Sequence, residues 1–317
     1  MLPIRMLLLA VLLALSSQGH PALAQSAPWA DSASVTITYV KQPLNAPLIL
    51  AKALGMYEQE FESAGYTVKW ADLSTAAAQA RALREGAVQF ASVIGWDGVL
   101  LAKSRGEPIK AISVFARAPN AFCLMTRNPA VTSVADLKGR TVAGPKGAQL
   151  YLLLLMTLER AGLAATDVAF VDMQLPQALT TLLSGGVDAA LLAGVGKLQA
   201  QAEGARALAC GEGLSIGLMF TAVNENFALS HPDLVRRYIA VHNRALAFLQ
   251  ANPGKARTII ARETGLTEQE VERLLPEYDF TPVVTDSDRQ YLASAQEFLF
   301  RNGLVTRYVD FGGIFWP

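Results

Sequence analysis

Between residues 35 and 223 the apolar positions fall into short runs, separated by longer stretches in which they recur every third or fourth residue. The short runs predict strands at 35–40, 66–71, 89–94, 109–116, 121–126, 141–143, 168–171, 188–193, 206–209 and 216–223. The stretches between them predict helices at 46–63, 75–85, 97–105, 147–161, 174–184 and 195–203, and beyond about residue 224 the pattern becomes mostly helical. Strand alternating with helix predicts a parallel-type α/β architecture.

The first of these units reads VTITYVKQPLNAPLILAKALGMYEQEF, residues 35–61. Val35, Ile37 and Tyr39 alternate with threonines, and Pro43 cannot donate to a ladder, so the strand ends near it. Asn45 is a good N-cap, Pro47 suits a first turn, and Leu48, Leu50, Ala51 and Leu54 follow at helical spacing as far as Gly55. A helix start placed over a strand end aims unpaired N–H groups at the space above it, which favours a polar or anionic guest.

The pattern repeats. ARALREGAVQFASVIGWD at 80–97 and TTLLSGGVDAALLAGVG at 180–196 align at a shift of 99 residues, pairing Gly86 with Gly185, Val88 with Val187, Gln89 with Asp188 and Ala91 with Ala190. Each is a helix end, a glycine cap and a buried strand running into another glycine, Gly95 or Gly194. TVAGPKGAQLYLLLLMTLERAG at 141–162 likewise mirrors the opening unit. Ligands of open α/β sheets sit beyond the carboxyl ends of the strands. Two facing sheets therefore bring the turns 41–46, 94–97, 144–149 and 193–196 to one cleft.

The opening segment, MLPIRMLLLAVLLALSSQGHPALAQS, changes where such a protein is expected to work. Arg5, a leucine-rich core and Ala22-Leu23-Ala24 form a secretory signal peptide over 1–24, with cleavage after Ala24. No cysteine follows at the cleavage site, so the expected product is periplasmic and not lipid-anchored. Lys plus Arg and Asp plus Glu both number 27, a balance that argues against nucleic acid and against a polybasic membrane patch. Cys123 and Cys210 fit no zinc spacing; they can form one bridge in an oxidising compartment or remain two buried thiols.

With these residues in view, the chain resembles the periplasmic substrate-binding proteins of ABC importers, in particular the aliphatic sulfonate, taurine and nitrate group, with thiamine-precursor binders close by. The resemblance rests on KQPLNAPLILAKALGMYEQEF, LREGAVQFASVIGWDG, SVADLKGRTVAGPKGAQLYLLLLMTLERAGL, LLSGGVDAAL, CGEGL and EFLFRNGLVTRYVDFGGIFW, and it covers nearly all of the chain after the signal peptide. It implies the two-domain periplasmic binding protein fold (type II): two α/β sheets joined by two crossing strands, near 115–121 and 209–217, with a ligand cleft between. Domain 1 is then discontinuous, 33–116 and 214–317, and domain 2 spans 117–213. The chain departs from the family pattern at Trp96, a bulky residue before Asp97, and at Ala193-Gly194-Val195-Gly196, where a tryptophan-containing turn is common.

The resulting expectation is a monomer that captures a small anionic or zwitterionic ligand, such as an alkanesulfonate or taurine, and passes it to an ABC permease, with no cofactor and no nucleic acid. The expected contacts are Lys41, Gln42, Asn45, Gly95, Trp96, Asp97, Gly147, Ala148, Gln149 and Gly194. Trp96 is read as a pocket wall, Asp97 as a partner for a ligand amine or a helix N-cap, and Gln149 as a donor to a ligand oxygen. Arg117, at the first crossing, is read as part of a domain-closing ion pair. A heteroaromatic ligand stacked on Trp96 is the alternative. The enzyme reading has little support: Gly213-Leu214-Ser215-Ile216-Gly217 matches G-x-S-x-G, but a strand and not a helix follows, and neither His231 nor His242 is placed as a base.

Overall fold

A computed structural model describes residues 33–73, 75–146 and 149–317. Ten strands and twelve α-helices alternate along these residues. They run β1 (Ser34–Tyr39), α1 (Ala46–Ala53), α2 (Met56–Glu62), β2 (Thr67–Asp72), α3 (Ala76–Arg84), β3 (Phe90–Gly95), α4 (Trp96–Ser104), β4 (Ile109–Ala116), β5 (Phe122–Thr126), β6 (Thr141–Gly144), α5 (Gln149–Arg160), β7 (Ala169–Asp172), α6 (Leu175–Leu183), β8 (Ala189–Ala193), α7 (Gly194–Ala202), β9 (Arg206–Cys210) and β10 (Met219–Asn224). Then come only helices, α8 (Glu225–Ser230), α9 (Pro232–Ala251), α10 (Pro253–Thr264), α11 (Glu268–Leu274) and α12 (Asp286–Arg301). Each strand expected from the apolar runs is present within a few residues. The helix expected over 46–63 is instead two, because Gly55 takes a left-handed conformation (φ 64°) and turns the chain between α1 and α2.

The strands form two five-stranded sheets, ordered β2-β1-β3-β10-β4 and β7-β6-β8-β5-β9. The two orders are the same pattern. In each, a strand that arrives from the other half of the chain pairs antiparallel with both of its neighbours: β10 lies between β3 and β4, and β5 between β8 and β9. The repeat at a shift of 99 residues has its structural counterpart in α3–β3 and α6–β8, where Gly86 and Gly185 both cap a helix at positive φ, 72° and 76°.

Each sheet carries its own core. The first lobe buries Phe90, Tyr57, Phe61 and Tyr238 together, with the Phe90 and Tyr238 rings stacked at 4.4 Å. Leu234, Val235, Tyr238, Val241 and Ala245 recur on one face of α9, so the helical C-terminal part of the chain covers the first sheet. The second lobe buries Leu124, Val142, Leu150, Leu154 and Leu191 on one side of its sheet and Met125, Ala178, Leu182 and Leu192 on the other. Leu152 and Met156 of α5 join a core cluster of the first lobe, so the lobes are packed together along one side.

The chain passes between the lobes at 117–121 and again at 211–218. The two crossings are hydrogen-bonded to each other, Ala118 N to Ile216 O at 2.9 Å and Gly211 N to Pro119 O at 2.7 Å. Cys123 and Cys210, paired in register on β5 and β9, form a disulfide beside them, with a Cα–Cα distance of 4.1 Å. Among the described residues no helix is long and apolar enough to cross a membrane. The expected signal peptide, 1–24, lies outside the described residues.

Candidate functional site

A cleft of about 930 Å³ lies between the lobes, at the upper end of the usual size of small-molecule sites. Its walls are strand-to-helix turns. The first lobe contributes 40–44 after β1 and Gly95 with Asp97 after β3; the second contributes Pro145, Lys146, Gln149 and Leu150 after β6 and 193–196 after β8. The four turns singled out in the sequence therefore meet. Asn45, Gly95 and Ala193, at the N-cap positions of α1, α4 and α7, give those helices no side-chain cap, and at α4 the carboxylate of Asp97 takes the backbone N–H groups of Asp97 and Gly98 instead. Lys41 and Lys146 are exposed at the rim, and among the described residues no arginine lines the cleft.

Lys41, Gln42, Gly95, Asp97, Gln149 and Gly194 line the cleft; Gly147 and Ala148 lie outside the described residues. Two expected contacts are elsewhere. Asn45 is fully buried, and its Nδ2 donates to Val40 O at 3.0 Å, which braces the turn after β1 from beneath. Trp96 is also fully buried, part of the first-lobe core, with its ring edge-on to Tyr291 at 5.6 Å. Its backbone N–H donates to Leu218 O at 3.1 Å, so residue 96 still follows the strand pairing and faces the core, while Asp97 faces the cleft. Trp96 is therefore a core residue and no stacking wall.

Asp97 is the second residue of α4, not its N-cap, and is only 3 % exposed. Its Oδ1 has no hydrogen-bond partner, and neither does Nε2 of Gln149 across the cleft. Burial raises the Asp97 pKa to about 6, against the lowering pull of the backbone N–H groups of Gly98 and Asp97.

The wider lining is apolar and was not legible as a site. Leu44, Phe122, Leu175, Leu179, Leu266 and Tyr278 supply most of it. Two further turns take part, Thr75–Ala77 after β2 and Gln174–Pro176 after β7. These two are related by the same shift of 99 residues, so the repeat itself carried the signal. Thr264 at the end of α10, Leu266 in the connection to α11 and Tyr278 beyond α11 come from the C-terminal part of the chain, where nothing in the local pattern marks them.

Around the cleft, Lys197 of α7 is nearly buried and bonds Glu277 of the first lobe, donating also to Asn120 O in the first crossing at 2.7 Å. Arg117 does not clamp the lobes across the cleft. Its Nε holds Asp288 Oδ1 at 2.7 Å and its Nη1 holds Asp279 at 3.2 Å, with the carbonyls of Thr281 and Val283 taking further donors, all within the first lobe. Ser215 sits in the returning crossing with its Oγ 2.9 Å from Tyr291 Oη. Both nitrogens of His242 are buried in the first-lobe core without partners.

Two lobes of the same strand order, joined by two paired crossings over a cleft, define the two-lobed periplasmic binding protein fold. The alkanesulfonate-binding protein SsuA from Xanthomonas axonopodis pv. citri, solved bound to MOPS, shares it with a TM-score of 0.79 at 24 % identity, covering 90 % of this chain and 98 % of that one. The chain belongs to the NMT1/THI5-like family, which matches residues 42–256. A protein of Bacillus subtilis (strain 168), provisionally named an aliphatic sulfonates-binding protein, is 27 % identical over 275 residues, 86 % of this chain and 82 % of its own. The riboflavin-binding protein RibY of Chloroflexus aurantiacus is 25 % identical over 300 residues, 89 % of this chain and 84 % of its own.

Proposed function

We propose that this chain is the periplasmic solute-binding component of an ABC importer and that it captures a small ligand bearing a sulfonate-type anionic group for delivery to the membrane permease. The observation that carries the reading is that six strand-to-helix turns, three from each lobe, open on one cleft with Lys41 and Lys146 at its rim. Helix starts of this kind favour a diffuse anion, and the sulfonate-binding relatives point the same way. In this reading Lys41, Gln42, Gly95, Asp97, Gln149 and Gly194 contact the ligand, joined by the apolar walls.

Residues 33–116 with 214–317 move as one body and 117–213 as the other, closing about the paired crossings. The protein acts as a monomer, exported by removal of 1–24. In this reading its work is capture, closure and delivery of the ligand, without covalent chemistry.

A thermal-shift screen followed by calorimetry tests this, using alkanesulfonates, aminosulfonates and nitrate against neutral pyrimidines and flavins. Saturable stabilisation by sulfonates is expected. Tight binding of neutral heteroaromatic compounds with no response to any sulfonate would replace the reading by the heteroaromatic-ligand alternative.

A further inference from the structure

Between α11 and α12 the segment LPEYDFTPVVT, residues 275–285, runs as a strap beside the root of the first crossing. It carries two groups into the space between the lobes: Tyr278 stands in the cleft wall, and Glu277 bonds Lys197 of the second lobe. Pro276 and Pro282 keep it from continuing as a helix or joining a ladder, so it needs anchors from outside. Phe280 packs on Phe115, and Val114 N donates to Pro282 O at 3.0 Å. The larger polar anchor is Arg117. Its backbone pairs with the strap in both directions, Arg117 N to Asp279 O at 2.8 Å and Asp279 N to Arg117 O at 2.9 Å. Its guanidinium then donates from Nη1 to Asp279 Oδ2 at 3.2 Å and to Thr281 O at 3.0 Å, and from Nη2 to Val283 O at 2.8 Å.

These contacts close a ring. From Arg117 the chain runs through the crossing to Asn120, whose carbonyl accepts from Lys197 Nζ at 2.7 Å; Lys197 bonds Glu277, and Glu277 leads through Tyr278 to Asp279, which is back on Arg117. Lys197 belongs to α7, whose first residues, Gly194 to Gly196, line the cleft from the second lobe. Two walls of the cleft, one from each lobe, are thus referred to one guanidinium. The planar fork makes this possible: its Nε and Nη2 hold the buried carboxylate of Asp288 at the start of α12, while Nη1 and Nη2 reach the strap. A lysine ammonium at this position can neutralise Asp288, but it cannot span both sets of acceptors.

We infer that Arg117, which does not itself line the cleft, is a positioning residue for ligand capture: it fixes the strap 275–285 and, through it, the cleft wall at Tyr278 and the interlobe contact at Glu277. Its effect on affinity rests on the cleft being the ligand site, as read above, whereas its effect on the strap and on the lobes does not.

Two variants of the full mature chain test this. Arg117→Lys keeps a charge for Asp288 and removes the fork; Asp279→Ala, at a half-exposed carboxylate, weakens the same tether and leaves Asp288 alone. In the ligand-free protein, amide exchange over 278–284 should be about tenfold faster in Arg117→Lys and at least about threefold faster in Asp279→Ala, the worth of one or two hydrogen bonds, with no change over β6 and β8. The radius of gyration should rise in either variant. Combining either with Lys197→Met should give no larger rise than Lys197→Met alone, because both act on one ring. Calorimetry with propanesulfonate should show about tenfold weaker binding to Arg117→Lys. Unchanged exchange over 278–284, an equal rise over β6 and β8, additive changes in radius, or equal affinity where the wild type binds propanesulfonate each overturns the inference. If the wild type binds no sulfonate, the sulfonate reading falls, and exchange and scattering still decide the role of Arg117.

Discussion

Lys197 of the second lobe and Glu277 of the first form an ion pair between the lobes beside the first crossing, with Lys197 also held by the Asn120 carbonyl of that crossing. Lys197 is only 4 % exposed, so the pair is shielded enough to bias the closed arrangement, yet it can part when the lobes do. Lys197→Met leaves Glu277 partly buried without its cation, which costs about 1–3 kcal/mol in the closed form. Ligand affinity should fall about tenfold and the ligand-free radius of gyration should rise. An unchanged dissociation constant together with an unchanged scattering profile would remove the latch.

The Cys123–Cys210 bond joins residues separated by 87 positions and sits beside both crossings. Removing it should cost about 2–4 kcal/mol, seen as a lower melting temperature in Cys123→Ala/Cys210→Ala. Alkylation without reductant should add no mass, and two adducts should follow reduction. Two adducts on unreduced periplasmic protein would show that the thiols are free in the cell.

Two glycines of the return crossing are held by space and by backbone sign. Gly217 has φ 59° and its Cβ would meet Ala118 O at 2.5 Å, while a Cβ on Gly211 would lie 2.1 Å from Ser215 O. Gly217→Ala should lower stability by roughly 2 kcal/mol or more, because a left-handed backbone and a clash with a paired chain coincide. Chemical denaturation measures this; a loss below about 0.5 kcal/mol would mean that the crossing yields easily.

Acid stability should depend on His242, whose buried, unpartnered ring has its pKa brought down to about 4 by desolvation. Between the ordinary value of about 6.5 and 4 the unfolded chain binds a proton that the folded chain refuses, so stability falls as pH falls, by up to about 3 kcal/mol. Asp97 acts in the opposite sense, since its pKa near 6 lets the folded chain hold a proton that the unfolded chain loses above about 4. Asp97→Asn should therefore steepen the acid loss, and His242→Leu should flatten it. Parallel denaturation curves for wild type and both variants from pH 7 to 4.5 would contradict both assignments.

Trp96 now carries a different prediction from that of a pocket wall. Trp96→Ala should destabilise the first lobe by about 3–5 kcal/mol, as expected for a fully buried aromatic. At a temperature where the variant is still folded, its ligand affinity should stay close to wild type. A large loss of affinity with unchanged melting temperature would return Trp96 to the cleft.

The sequence alone determined the order of strands and helices, the duplication and the four turns that face the cleft. Those features follow from local periodicity, from helix-breaking glycines such as Gly86 and Gly185, and from a repeat that needs no contact to be seen. It also placed Cys123 and Cys210 beside the crossings but left their pairing open. The tertiary structure decided which neighbour in a turn looks inward: Trp96 is bonded into the line of β10 and faces the core, so the cleft receives Asp97. Only the tertiary structure brings Lys197 to Glu277, Asp97 to Gln149 and Tyr278 to the cleft wall, because each pairing joins segments whose local patterns are independent of one another. Burial and partnership are properties of the assembled lobes, and no window of neighbouring residues contains them.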